Sequence, residues 1–231
     1  MMWFDPMYFV FLLPGMLLAA WAQWRVHRAF SQAKLVPASS GITGAQAADA
    51  ILRQAGVNDV RIEPVQGFLS DHYVPKEKVL RLSPDVYAGR SLAALGVAAH
   101  ECGHALQEAN SYPLLTMRNA LVPLAGIGSN LSWIILMIGF LLASMQVILI
   151  GIIAFSAVVV FQLVNLPVEF DASRRARIML QQTALITPEE DRTVGRVLNA
   201  AALTYVAATL TSLLTLLYFL FRSGLLGGRR R

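Results

Sequence analysis

Two of the four histidines in this chain flank a glutamate at a spacing that suits metal chemistry. His100, Glu101 and His104 form an HExxH pattern inside residues 91–108, an apolar segment that predicts one helix. Residues four apart share a helix face, so both imidazoles can reach one metal ion. Glu101 lies beside them and could take a proton from a water that the metal activates. The pattern indicates zinc-dependent hydrolysis; the alternative is a pair of histidines that bind nothing.

A catalytic zinc site needs a third protein ligand and leaves one position open for water. The acidic candidates further along the chain are Glu108, Glu169, Asp171 and residues 189–191. Glu108 lies only one turn past His104 on the same helix, too close to serve as the third ligand. Residues 189–191 begin a helix with the pattern of a solvated face. Glu169 stands where a long apolar segment ends, a costly place for a carboxylate without a partner. It is the favoured ligand, and an ion pair with Arg174 or Arg175 is the alternative.

The composition indicates a membrane protein. Hydrophobic residues make up 56% of the 231 residues and charged residues only 14%, against about a quarter in ordinary globular chains. Lipid is therefore expected to cover part of the surface. The formal net charge of +5 comes with arginines next to apolar segments, which is typical of membrane anchoring; no motif indicates nucleic-acid binding. The single cysteine excludes an intramolecular disulfide and a multi-cysteine metal site.

Four apolar segments are long enough to span a bilayer. They cover residues 9–24 (with Trp3 and Phe4 extending the first one backwards), 120–143, 145–166 and 200–221. The predicted organisation is a first transmembrane helix in 1–24, a catalytic unit in 25–118, a transmembrane hairpin in 119–166, a second part of the catalytic unit in 167–198, and a fourth transmembrane helix with a basic tail in 199–231.

The polar segment between the first two spans predicts a small mixed unit. Thr43 caps a helix over residues 44–54. Short strands are expected at residues 60–65, 67–73 and 78–82, and Pro167 predicts a kink or break after the third span. The fold class is thus a membrane α-helical protein with four transmembrane helices and a small α+β, zincin-like catalytic unit.

Several separate motifs resemble one bacterial family. They are the segments 70–73 (SDHY), 78–83 (KVLRLS), 93–99 (AALGVAA) and 166–170 (LPVEF). Together they resemble the YugP family of membrane-bound neutral zinc metallopeptidases, and more distantly the HtpX-like and CAAX prenyl protease gluzincins. The distant resemblance implies a Zn²⁺ cofactor and Glu169 as third ligand. It also implies an aspartate four residues after that ligand, where this chain has Ser173. Asp171 or Ser173 could replace it beside a ligand histidine, or a backbone carbonyl could bond that histidine instead.

The other histidines and the cysteine also have expected places, and that of His72 follows from the resemblance. His72 would lie on a strand at the edge where substrate binds, and would either stabilise the oxyanion or cap that strand. His27 is expected at the membrane interface. Cys102, between the motif residues but on another helix face, is expected in the core.

The sequence therefore predicts a peptidase of the plasma membrane that acts on peptide or membrane-protein substrates. A non-catalytic zinc-binding scaffold is the alternative, but the intact Glu101 argues against it. An intramembrane protease is disfavoured because Arg90 and Glu108 flank the motif helix.

Arginines near the span ends predict a cytoplasmic catalytic unit. On the catalytic side these are Arg25, Arg28, Arg118, Arg174, Arg175, Arg177, Arg192 and Arg196. The opposite side has Arg222 and Arg229–Arg231, and Asp5 precedes the first span.

Overall fold

The computed structural model describes residues 5–226 and consists mostly of helices, with one small sheet. The helices are α1 (Pro6–Lys34), α2 (Gly44–Gln54), α3 (Pro84–Tyr87), α4 (Leu92–Ala109), α5 (Pro113–Leu141), α6 (Met145–Gln182) and α7 (Pro188–Arg222). The strands are β1 (Arg61–Pro64), β2 (His72–Val74) and β3 (Val79–Leu82), with a 3₁₀ helix at Pro75–Glu77. Trp3, Phe4 and Arg229–Arg231, which entered the predictions above, lie outside the described residues.

Four of these helices, α1, α5, α6 and α7, are long and apolar enough to cross a membrane. The prediction of four helices of membrane-spanning length and a small sheet is therefore confirmed. The chain divides into two compact units. The first, called the membrane unit here, is Met1–Trp21, Thr116–Pro167 and Thr204–Arg231; the second, called the α/β unit, is Ala22–Leu115 and Val168–Leu203.

The membrane unit exposes large apolar side chains over much of its surface. Ile127 is 65% exposed and Ile153 is 70% exposed, as expected for side chains that face lipid. Aromatic residues fill its own interior, where Tyr218 and Phe219 are fully buried. The phenol of Tyr218 donates a hydrogen bond to Asp5 at 3.1 Å.

The α/β unit is built on a three-stranded sheet in the order β1-β3-β2. Strand β1 pairs with β3 in parallel, and β2 pairs with β3 in antiparallel. Val79, Leu80 and Leu82 of the central strand are fully buried in the core of this unit. Helix α2 begins as predicted at Thr43, which forms a capping box with Gln46.

One local prediction was wrong. Residues 67–71 form no strand, because Gly67 (φ +115°) and Leu69 (φ +50°) take left-handed backbone conformations that turn the chain. Of the kink or break predicted at Pro167, the break does not occur, since α6 continues through this residue to Gln182. Membrane helices tolerate proline where neighbouring groups satisfy the freed carbonyl.

Candidate metal centre

Helix α4 carries the HExxH pattern in the interior of the α/β unit. It begins after Ser91, whose hydroxyl accepts a hydrogen bond from the Ala94 amide at 3.2 Å. The helical spacing puts the two histidines on one face, with their ring centroids 4.9 Å apart. The His100 and His104 side chains are only 14% and 12% exposed. Two imidazoles are thus held side by side and largely out of solvent.

A glycine between the histidines lets α6 approach α4 closely. A Cβ atom added at Gly103 would lie 2.5 Å from the backbone oxygen of Ala172, which is far below ordinary contact. Only glycine fits this crossing without moving one of the helices. Because Ala172 is three residues from Glu169, the close approach also brings that carboxylate to the histidines.

Three donor atoms converge at this crossing. Glu169 Oε2 lies 3.3 Å from His100 Nε2 and 3.6 Å from His104 Nε2. All three atoms lie within 4.8 Å of one another, as a shared metal ion requires. Two ligands bound to zinc at about 2.1 Å with tetrahedral angles would be about 3.4 Å apart. The residues therefore fit a zinc ion in spacing and in chemical type.

The buried carboxylate also lacks an ordinary partner. Glu169 is 2% exposed, and its Oε2 makes no hydrogen bond of normal geometry to any residue that the structure describes. A buried carboxylate oxygen without such a bond is costly. A cation at the convergence point would satisfy it.

The charges around the histidines favour a positive ion. Burial by itself lowers the pKa of His104, but the nearby Glu169 and Glu101 carboxylates outweigh it, so the net shift is upward. Glu101 is itself only 8% exposed and adjoins His100 on the same helix. The same negative charges that favour an imidazolium also favour a metal cation.

Gln107, which the sequence analysis missed, fixes the orientation of His104. Its amide Nε2 donates to the carbonyl of Val168 at 2.8 Å and to Asp171 Oδ2 at 3.0 Å. A flipped amide would set its oxygen against two acceptors, so Oε1 must face His104, whose Nδ1 lies 3.0 Å away. Nδ1 then carries the proton, which leaves Nε2 with the lone pair that a metal binds.

His100 has an outer partner of a different kind. The Ser173 hydroxyl lies 3.1 Å from His100 Nδ1 and can accept a hydrogen bond from it. The distant resemblance implied an aspartate at this position, and this chain has a neutral hydroxyl there. Asp171 instead supports Gln107, and is itself held by Arg174 and by Arg175, the latter at 2.5 Å.

Three of the remaining acidic candidates, Glu108, Glu190 and Asp191, have other partners. Glu108 accepts a hydrogen bond from the Tyr73 phenol at 2.6 Å and pairs with Lys78 at 3.0 Å. Glu190 accepts bonds from the backbone and hydroxyl of Ser39 at 2.7 and 2.8 Å. Asp191 pairs with Arg177. Of the acidic candidates in the described residues, only Glu169 joins the two histidines.

The other singled-out residues lie apart from the metal group. His72 is exposed on the edge strand β2, and its Nδ1 lies 2.7 Å from the Ser70 carbonyl; no contact joins it to the metal group within residues 5–226. His27 stacks on Phe68, with ring centroids 5.6 Å apart. Cys102 is fully buried in the core, as predicted, and burial raises the pKa of its thiol.

Comparison with known proteins identifies the class. Residues 8–224 match the family described as "Putative neutral zinc metallopeptidase". The chain belongs to this family, and its cofactor is Zn²⁺. It is 48% identical over 214 residues to the "Putative membrane protease YugP" of Bacillus subtilis (strain 168), which covers 92% of this chain and 95% of that protein. No solved structure matches the chain significantly.

Proposed function

We propose that this chain hydrolyses peptide bonds with a zinc ion held by His100, His104 and Glu169, and with Glu101 as general base. The observation that carries the proposal is the buried convergence of the three donor atoms beside Glu101. Two imidazoles and one carboxylate are an ordinary ligand set for a catalytic zinc, with one position left for water. We take the α/β unit to be a zincin-like catalytic unit on this basis.

Each side chain has a distinct task in this mechanism. His100, His104 and Glu169 would hold the zinc, which would supply Lewis-acid activation of a water and of the scissile carbonyl. Glu101 takes the proton of the attacking water and passes it to the leaving amine. Gln107 and Ser173 are positioning residues, because they act only through the ring nitrogens of the histidines.

The edge strand β2 offers a place for the substrate backbone. It pairs with β3 on one side only among the described residues, so its outer edge can bind an extended peptide as a further strand. Tyr73 on this strand is tied to Glu108 of α4, which keeps the edge next to the motif helix. His72 lies on the same strand and would contact the substrate rather than the metal.

The direct test of the mechanism is Glu101→Gln. This change removes the base but no metal ligand, so zinc content should stay near one ion per chain while cleavage of an unfolded protein falls by about 10²–10⁴-fold. Glu189→Gln, which alters an exposed glutamate, is the control and should change neither. Full activity of Glu101→Gln would contradict the assigned base.

We further propose that the catalytic unit faces the cytoplasm from the plasma membrane. The arginines that follow α1's apolar part support this orientation, and so does Asp5 before it. In a Cys102→Ala background, a cysteine at the exposed Lys76 should resist an impermeant thiol reagent in intact cells, whereas one at Ser223 should react. The reverse labelling pattern would contradict this orientation and place the catalytic unit on the outer side of the membrane.

A further inference from the structure

The α/β unit has a basic cavity that the peptidase chemistry does not use. Its volume is about 290 Å³. The polar and aromatic residues that line it are Trp24, Arg25, Arg28, Gln32, Thr193 and Arg196. Three arginines thus line one opening, and no carboxylate is among the described residues of its wall.

Two of the three arginines are held in place by neutral neighbours. Arg28 lies over the Trp24 ring, with its Cζ 5.2 Å from the ring centroid. Arg196 donates to the Thr193 hydroxyl at 2.9 Å. Within residues 5–226, neither forms an ion pair with a carboxylate. Their charges are therefore oriented but not neutralised.

Other arginines of the same unit do have acidic partners. Arg81 bonds Glu77 at 2.6 Å, Arg53 bonds Asp49 at 2.9 Å, and Arg177 pairs with Asp191. Arginines without an acidic partner are therefore not general in this unit. The positive charges of Arg28 and Arg196 at the cavity are left for an anion that is not part of the chain.

The cavity lies next to the end of the apolar part of α1. The apolar part of α1 ends at Trp24, where the basic residues begin. Trp21 is 46% exposed and Trp24 is 54% exposed, and exposed tryptophans at the end of an apolar helix mark the membrane interface. Basic pockets at this depth bind phosphate groups of lipids.

We propose that this cavity binds the headgroup of an anionic phospholipid such as phosphatidylglycerol. The phosphate oxygens accept hydrogen bonds from the guanidinium groups of Arg28 and Arg196. Gln32 and Thr193 offer neutral polar groups for the headgroup hydroxyls. This site is separate from the metal centre, so it stands whether or not the zinc assignment does.

The test is a titration of the purified full-length chain in neutral detergent with phosphatidylglycerol, with bound lipid counted by native mass spectrometry. The double variant Arg28→Gln/Arg196→Gln should bind this lipid about thirtyfold more weakly, since it loses two cationic contacts of ordinary strength. Its zinc content should equal that of the wild type, which shows that the fold is intact. Arg192→Gln, an exposed arginine of α7 outside the cavity, is the matched control and should bind normally.

Three results would overturn the proposal. Equal binding of phosphatidylcholine would mean that the apolar surface alone retains lipid. An equal loss in Arg192→Gln would assign the effect to net charge rather than to the cavity. If inorganic phosphate displaced the lipid at equal concentration, the ligand would be a soluble phosphate and not a headgroup.

Discussion

Polar side chains are used differently in the two units of this molecule. In the membrane unit, the Ser156 and Thr211 hydroxyls donate at 2.8 Å to carbonyls four residues back in their own helices. In the α/β unit, Gln107 bonds a carbonyl 61 residues away, and Ser173 bonds a histidine 73 residues away. Long-range bonds of the membrane unit include that from the Tyr218 phenol to Asp5 at 3.1 Å and that from the Thr209 hydroxyl to the Gln162 carbonyl at 3.4 Å.

This difference predicts how well each unit tolerates single substitutions. A hydroxyl bonded within its own helix keeps its partner whenever the helix forms. A side chain bonded across the fold has a partner only when two distant segments pack correctly. Single substitutions should therefore be mild in the apolar segments and severe around the metal centre.

The largest effect is expected at the crossing of α4 and α6. Gly103→Ala adds a Cβ 2.5 Å from the Ala172 oxygen, so the helices must separate and carry Glu169 away from the histidines. Overpacking of this kind costs about 1–3 kcal/mol of folding free energy. We expect a lower melting temperature in detergent and poor retention of zinc, both measured on the purified protein.

Its matched control is Gly126→Ala in α5 of the membrane unit. A Cβ there meets nothing within 4 Å, so stability should be unchanged or raised. An equal loss of melting temperature and zinc in Gly103→Ala and Gly126→Ala would contradict the proposed difference between the units.

A smaller effect is expected at the outer partners of the histidines. Gln107→Leu leaves His104 without its acceptor, and loss of such a partner lowers zinc affinity by about 10–100-fold. Ser173→Ala should cost about tenfold or less, because water can replace a hydroxyl beside His100. Competition with a chelator measures both affinities.

The comparison variant is Ser156→Ala, which changes the same residue type in the same helix as Ser173 but in the apolar segment. It should leave zinc affinity unchanged and stability within about 0.5 kcal/mol. A loss of affinity equal to that of Ser173→Ala would show that the change acts on the helix as a whole.

Local signals made much of the fold predictable. Thr43, Ser91 and Pro188 mark helix starts in the sequence, and α2, α4 and α7 begin directly after or at them. The spacing of His100 and His104 identified one face of α4 without any knowledge of its neighbours. Such features depend on a few consecutive residues, so a sequence displays them.

Features that depend on distant partners were harder to predict. Gln107 follows His104 by three residues and so shares its helix face, which was an available signal. Its role became visible only with Val168 and Asp171 packed against it. Pro167 predicted a kink or break, but α6 passes through it unbroken because packing of the helix overrides local propensity.

The measurement that tests the central claim most directly is the zinc content of Glu169→Ala after dialysis against a mild chelator. Removal of the third ligand leaves two histidines, so the variant should lose its zinc while the wild type keeps about one ion per chain. Glu189→Ala, with an exposed glutamate of the acidic run removed, should keep zinc like the wild type. Normal zinc content in Glu169→Ala would contradict the account and point to Asp171 as the third ligand.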